Sequence, residues 1–329
     1  MDILIIGGMG FLGFYAVKEF LRRGHRVSIL ARSSTSSLEL VPEEVVVKTA
    51  NMDDLSDDEA RALLRGHDGV VMAAGADDRT TPKAPAYEFF RRTNVEFSAR
   101  LFRLAREAGV KRGVLLSSYF AHFDRIWPQL KMAEHHPYIR SRKEQEEQSL
   151  AAAMPDLQLS VLELPYIFGS MPGQAPLWTP IVNLVRKWPV LPFPKGGTNM
   201  ISVHHVAEAI AGAIERGKGG ERYMVGDENI TWKDWLGRIS RFACGRTKPV
   251  ITVPDFLVRW QLQIVEKKHH AAGREGGLNP VQFLKVQTAK TYFDPEPARR
   301  ALGYGKGGLD DAIRETVAAS PVNSTASLW

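Results

Sequence analysis

The chain opens on "MDILIIGGMGFLG", an apolar run cut by Gly7, Gly10 and Gly13 and followed by a stretch of helical period to residue 23. No other feature constrains the fold as tightly. Glycines at this spacing, between a strand and a helix, allow a sharp turn, a close approach of the backbone to a ligand, and tight packing of helix on strand. The helix then presents its amide-rich, positive end to the turn, which suits a pyrophosphate. The same spacing also occurs as a purely structural turn.

The rest of the first half continues this beginning. Short apolar runs, "RVSIL", "VVV", "GVVMAA", "GVLLSS" and "LSVLEL", alternate with segments of helical period at 57–65, 86–108 and 138–153. Strands and helices taking turns require right-handed crossovers and a parallel sheet covered on both faces. The expectation is a doubly wound α/β fold with a smaller, less regular C-terminal substrate region. Residues 1–164 with 201–216 would form the dinucleotide-binding domain, and 165–200 with 217–329 the substrate-binding region. The division rests on the Pro and Gly crowding "GSMPGQAPLWTP" and "PVLPFPKGG", and on "MISVHHVAEAIAGAIER", a strand and helix that rejoin the first domain.

At 329 residues and 44% hydrophobic the chain can bury a sizeable core. Its 43 basic and 37 acidic residues leave a net charge of +6. With no run of one sign, this favours small anionic ligands over nucleic acid. One cysteine, Cys244, cannot form an internal disulfide, so a reducing, cytoplasmic setting is expected. No stretch approaches the ~18 apolar residues of a membrane span, and the N-terminus lacks the basic leader of a signal peptide. The paired histidines His135 and His136, His204 and His205, and His269 and His270 point apart on a helix or strand, so no metal site is expected. "GRISRFACGRTK" and "RWQLQIVEKKHH" mix basic and aromatic residues as RNA surfaces or membrane-surface helices can, and are read here as solvated helix faces.

The second strand should end beside the adenosine ribose. An acid there would bind the ribose hydroxyls, but the sequence supplies Ala31, Arg32, Ser33 and Ser34. Arginine beside hydroxyls suits a 2′-phosphate, so NADP(H) is the first choice of cofactor and NAD(H) the second.

In order along nearly the whole chain, these segments resemble the extended short-chain dehydrogenase/reductase superfamily, the NAD(P)-dependent epimerase/dehydratase-like proteins built on a Rossmann sheet. "MDDLSD" resembles the acidic turn after the third strand, which implies Asp54 and Leu55 near the adenine. "VVMAAG" resembles the cofactor-lining segment after the fourth strand, which implies the same for Ala73, Ala74 and Gly75. Asn94 falls where the family keeps an asparagine, and Ser117 and Ser118 close the fifth strand as the catalytic-serine segment does. "LELPYIFG" resembles the stretch that meets the nicotinamide, with Pro165 and Ile167, and "YFDPEPARRALGY" the C-terminal signature. Phe11 and Leu12 join the glycines in the cofactor loop.

The resemblance implies that a tyrosine exchanges the substrate proton, a serine holds the oxygen, and a cation one helical turn beyond lowers the tyrosine pKa and grips the ribose. These roles fall on Tyr138, Ser118 and Arg142. The nearby Lys143 is one position late: on a helix, i+4 lies about 40° from Tyr138 and i+5 about 140°. Bringing a phenol from about 10 to about 7 takes roughly 4 kcal/mol, and a cation ~4 Å away at an effective dielectric of 20 supplies about that. Arginine cannot lose a proton, however, and its planar fork meets a diol differently from an ammonium. The alternative for Arg142 is a pair with Glu146 at i+4.

Glu163 stands where sugar-nucleotide members commonly carry arginine, and Tyr166 and Ile167 follow Pro165 where many epimerases have an asparagine nearby. Both departures favour a reductase of more apolar carbonyls. Trp178, Trp188, Phe193, Phe256 and Trp260 would then line the substrate pocket or serve as plain core. The leading expectation is an NADP(H)-dependent oxidoreductase of a ketone, aldehyde or matching alcohol. The alternatives are an epimerase or dehydratase with tightly bound NAD(P), or a dinucleotide-binding sensor or scaffold. Helices at 86–108 and 138–153 suit the four-helix homodimer interface of the family, and a monomer is equally allowed.

Overall fold

The computed structural model describes residues 1–31 and 39–322. Six strands, β1 (Asp2–Ile6), β2 (Arg26–Ala31), β3 (Val46–Thr49), β4 (Gly69–Met72), β5 (Arg112–Ser118) and β6 (Gln158–Leu164), follow one another, with α-helices in every connection except that from β2 to β3, where none is found among the described residues. The later strands are β7 (Tyr166–Phe168), β8 (Leu191–Phe193), β9 (Gly197–Ser202), β10 (Arg222–Met224), β11 (Glu228–Thr231), β12 (Val250–Thr252) and β13 (Lys290–Thr291). The main sheet has seven parallel strands in the order β10-β6-β5-β4-β1-β2-β3. The direction of winding reverses between β1 and β4, which opens a crevice at the carboxyl ends of the strands.

The alternation of side chains along β1 explains why its sequence is apolar throughout. Ile3 and Ile5 enter one core with Val17, Phe20 and Ile210, while Leu4 and Ile6 enter the other with Leu101, Phe102 and Leu104. Each such fully buried side chain contributes about 1.5–3 kcal/mol of transfer free energy. On one face, the helix Phe11–Arg22 packs against the returning helix Val203–Arg216.

Two strands lie where the two expected regions meet. Ile201 and Ser202 belong to β9, which lies in a small sheet with β7, β11 and β13; Ile201 packs in the main-sheet core with Val206 and Ile210, while Met200 enters a third core around Trp235, Leu236 and Ile313. Conversely β10, at 222–224, is the seventh strand of the main sheet, with Tyr223 opposite Leu162. Three residues inside "GERYMVG" carry no periodicity from which a strand could be read; pairing with β6 makes it one.

Candidate active site

The glycine turn is a cradle that side chains would fill. Gly7 has φ +88°, and a Cβ there would lie 2.7 Å from the Ala74 nitrogen. A Cβ on Gly13 would lie 2.1 Å from the Gly7 carbonyl oxygen, and one on Gly8, which the motif reading passed over, 2.4 Å from Ile29 Cγ2. Gly10 caps the helix Phe11–Arg22, and its N–H donates to Gly7 O at 2.9 Å. A backbone held this tightly against β4, with free helix amides at its mouth, fits the dinucleotide that the motif implies. Phe11 and Leu12 are half-buried at the start of the helix.

Around this turn lie Ala73 and Ala74, half-buried just beyond β4, and Gly75, exposed with φ +153°. Asp54 is exposed and accepts from Asn51 Nδ2 at 3.0 Å, while Leu55 is half-buried and its carbonyl accepts from Arg100. Pro165 is buried and Ile167 half-buried, the latter opposite Ile201. Arg32, Ser33 and Ser34 lie outside the described residues.

Asn94 sits in a wide-turned segment, Arg91–Glu96, within the helical run from Ala86 to Glu107. Its carboxamide is a bracket: Oδ1 accepts the Ala76 N–H at 2.9 Å, and Nδ2 donates to Ala76 O and Ser141 Oγ, both at 3.2 Å. This ties the loop after β4 to the helix Pro137–Ala153, which carries Tyr138 and Arg142.

Tyr138, Ser118 and Arg142 come together. Tyr138 is 6% exposed, in an apolar cluster with Phe90, Phe120 and Phe283. Burial raises its pKa; the Arg142 charge pulls it down, Asp78 pushes it up, and hydrogen bonding from Ser118 and Arg142 favours the phenolate. Desolvation wins, so the phenol stays protonated at neutral pH. Ser118 also caps the helix Tyr119–Ile126 by accepting the Phe120 N–H at 3.4 Å.

The Arg142 guanidinium lies 5.1 Å from the Tyr138 ring centre. Its Nη1 donates to Gln145 Oε1 at 2.8 Å and Leu116 O at 3.4 Å, and its Nη2 to Ala76 O at 3.2 Å. Its Nε is buried with no partner among the described residues, a donor left over for a ligand. Glu146 is not its partner. Lys143 points elsewhere and pairs with Asp124 at 3.3 Å.

Ser117 and Ser118 alternate across the end of β5, so their roles separate. The Ser117 hydroxyl donates to Glu146 Oε1 at 2.6 Å. Glu146 and Glu163 are buried, joined by Arg125, with Arg222 on Glu146 at 2.9 Å. Glu163 therefore turns into a buried ion cluster, where desolvation and then Glu146 push its carboxyl up to about 7.

Two elements of the site were not read from the sequence. Asp78 is half-buried in the loop after β4, and its carboxyl is pushed up to about 6, first by desolvation and then by Asp77. Its charge acts on Tyr138, Tyr119 and Tyr166. Gly277 covers the tyrosine: its carbonyl accepts the Tyr138 N–H at 3.0 Å, and a Cβ there would lie 2.7 Å from Phe90 Cζ. The double acid in "GADDRTT" and the double glycine in "REGGLNP" are the only signals either leaves.

Of the five aromatics named as pocket or core, Trp178 stacks on Phe168 with ring centres 5.1 Å apart and Phe193 packs near Trp232 and Trp235. Trp188, Phe256 and Trp260 are exposed.

The strand order and the glycine cradle are those of the extended short-chain dehydrogenase/reductase superfamily. More specifically, the NAD dependent epimerase/dehydratase family matches residues 3–226, and the chain belongs to it. Among curated proteins it is 22% identical over 325 residues to a sterol-4-alpha-carboxylate 3-dehydrogenase, decarboxylating, of Dictyostelium discoideum, covering 92% of this chain and 95% of that one. It is 28% identical over 274 residues to a 3-diazoavenalumate denitrifying reductase of Streptomyces sp, covering 78% and 87%. Among solved structures, gox2253 superposes with a TM-score of 0.77 at 22% identity over 97% of both chains, a likeness of fold.

Proposed function

We propose that this protein is an NADP(H)-dependent oxidoreductase that reduces a ketone or aldehyde on a small, apolar molecule. The observation that carries this reading is Tyr138: a buried, protonated phenol among Phe90, Phe120 and Phe283, with Ser118 and Arg142 beside it. Reduction consumes a proton, so an acid that is neutral at working pH is the group it requires. When bound, the reduced nicotinamide supplies the hydride.

The chain does the rest. The amides of the Gly7–Gly13 turn hold the pyrophosphate. Ser118 donates a hydrogen bond to the carbonyl oxygen, and Tyr138 gives that oxygen its phenolic proton as the carbon is reduced to the alcohol. Arg142 stabilises the phenolate left behind. The apolar rings around Tyr138 favour an apolar substrate, as does the sterol in the name of one relative. The choice of NADP(H) rests on Arg32 and Ser33 in the sequence.

The test is NADPH consumption with a panel of apolar ketones and aldehydes, run beside Tyr138→Phe and repeated with NADH. Stoichiometric oxidation of NADPH that is lost in Tyr138→Phe supports the proposal, and tighter binding of NADH overturns the cofactor choice. Turnover without net cofactor change replaces it with epimerase or dehydratase chemistry, the second reading that family membership supports. Dinucleotide binding with no Tyr138-dependent chemistry leaves a sensor or scaffold.

A further inference from the structure

The helix Asp255–Ala271, "DFLVRWQLQIVEKKHHA", is apolar on two sides. At about 100° per residue, Val258, Leu262 and Val265 fall on one arc. That arc is the packed side: Leu262 is buried, Val258 and Val265 are half-buried, and the helix lies against the next one, Pro280–Thr288. Phe256, Leu257, Trp260 and Ile264 fall on a second arc about 100° wide, where they are 70%, 47%, 66% and 39% exposed. A solvated face carries isolated apolar residues, whereas four large ones in a single arc mark a surface made to be covered.

The charges around the arc say by what. Lys267 falls within it and Lys268 at its edge, about one turn beyond Ile264, and both are exposed. Arg259 and Lys285 border a shallow cleft that Phe256 and Leu284 share. The acids of the helix are engaged already, Asp255 with Lys195 at 3.5 Å and Glu266 with Asn279 Nδ2 at 2.6 Å. The face is thus apolar with a cationic margin. A bilayer offers hydrocarbon beneath an anionic headgroup layer, which matches both features.

We propose that the Phe256, Leu257, Trp260 and Ile264 face, with Lys267 and Lys268, docks this protein reversibly on an anionic phospholipid surface. The inference goes beyond the redox reading and does not depend on it. The C-terminal end of the helix continues into the segment over Tyr138. There Gly273 O accepts the Ala84 N–H at 3.1 Å and Gly277 N–H donates to Thr80 O at 3.3 Å. The docking helix and the cover of the site are one continuous stretch of chain.

The test sediments the full chain with vesicles of phosphatidylcholine, alone or with phosphatidylserine added. The expected result is about tenfold more protein bound to the anionic vesicles at low salt, with the gain falling as salt rises. The double variant Phe256→Ser and Trp260→Ser should lose binding to both kinds of vesicle, and Lys267→Glu with Lys268→Glu should lose the anionic preference alone. Thermal unfolding and NADPH binding, measured on each variant, report an intact fold. Failure of the wild type to bind anionic vesicles, or binding by the apolar variant equal to wild type, overturns the proposal. So does light scattering that shows a dimer converted to monomers by the apolar variant without vesicle binding, which assigns the face to self-association.

Discussion

Arg142 holds its guanidinium carbon 5.1 Å from the ring centre of Tyr138 while the carbonyl oxygens of Ala76 and Leu116 and the Gln145 side chain fix it in place. The charge is thus delivered to the phenol by a group that cannot swing away. Arg142→Lys keeps the charge with a compact ammonium that can also reach a ribose diol, so carbonyl reduction should be retained within about tenfold or raised. Arg142→Met removes a cation worth about 3 kcal/mol at an effective dielectric of 20, and turnover should fall about a hundredfold. Steady-state rates with one carbonyl substrate separate the cases; collapse in Arg142→Lys would show that the planar fork itself has a task.

Asp78 offers a pH signature. Its folded-state pKa of about 6 lies above the ordinary 3.8. Below the ordinary value both folded and unfolded chains hold the proton, and the group contributes nothing. As pH rises towards 6 the unfolded chain ionises first, so the folded state loses stability, and the loss is complete above 6. Asp78→Asn should therefore stabilise the protein by about 2 kcal/mol at pH 7.5 and by nothing measurable near pH 3.5. Urea unfolding at the two pH values reads this directly. Because the Asp78 carboxylate raises the Tyr138 pKa, the same variant should shift the pH profile of alcohol oxidation to lower pH, and an unmoved profile would separate Asp78 from the phenol.

What could be read in the sequence was whatever depends on neighbours along the chain. Gly7, Gly10 and Gly13 work through the absence of side chains next to a strand that precedes them, and Tyr138 and Arg142 share a helix face whatever packs on it. Strand parity was less accessible: in "LLSS" nothing tells which serine faces the helix Pro137–Ala153, and the structure turns Ser117 to Glu146. Least accessible were Asp78 and Gly277, which meet at Tyr138 only because two aperiodic loops from distant parts of the chain fold over it. Glu163 looked like a substrate-facing departure from pattern because a partner such as Arg125 cannot be assigned before the fold is known.

The glycine cradle makes a prediction with an internal control. Gly7 and Gly24 both adopt left-handed backbone, φ +88° and +79°, but a Cβ on Gly7 meets Ala74 at 2.7 Å while one on Gly24 meets nothing within 4 Å. Alanine at either position costs about 1 kcal/mol of backbone strain. Gly7→Ala adds the clash and must push the turn off β4, so NADPH affinity should fall at least about tenfold. Gly24→Ala should bind NADPH like wild type and be only less stable. Fluorescence titration of NADPH checks both, and equal affinities would remove the turn from the cofactor site.

Arg125 is the joint of the buried ion cluster. It bridges Glu146 and Glu163, which are 0% and 1% exposed, while Arg222 reaches only Glu146 and His122 lies 3.9 Å from Glu163. Arg125→Met leaves Glu163 with no strong counter-charge, which should cost about 3 kcal/mol at pH 8. The sign of the pH dependence follows from Glu163, whose folded-state pKa is already raised to about 7 from 4.5. A raised carboxyl pKa means that folded stability falls as pH climbs from 4.5 through 7. Removing Arg125 moves that pKa higher still, so the variant suffers most in alkali and recovers as Glu163 takes up its proton. Urea unfolding of wild type and variant should differ by about 3 kcal/mol at pH 8 and by no more than about 1 kcal/mol at pH 5.5. The same difference at both pH values would mean that Arg125 acts through packing of its stem against the strand end, with the charge of Glu163 incidental.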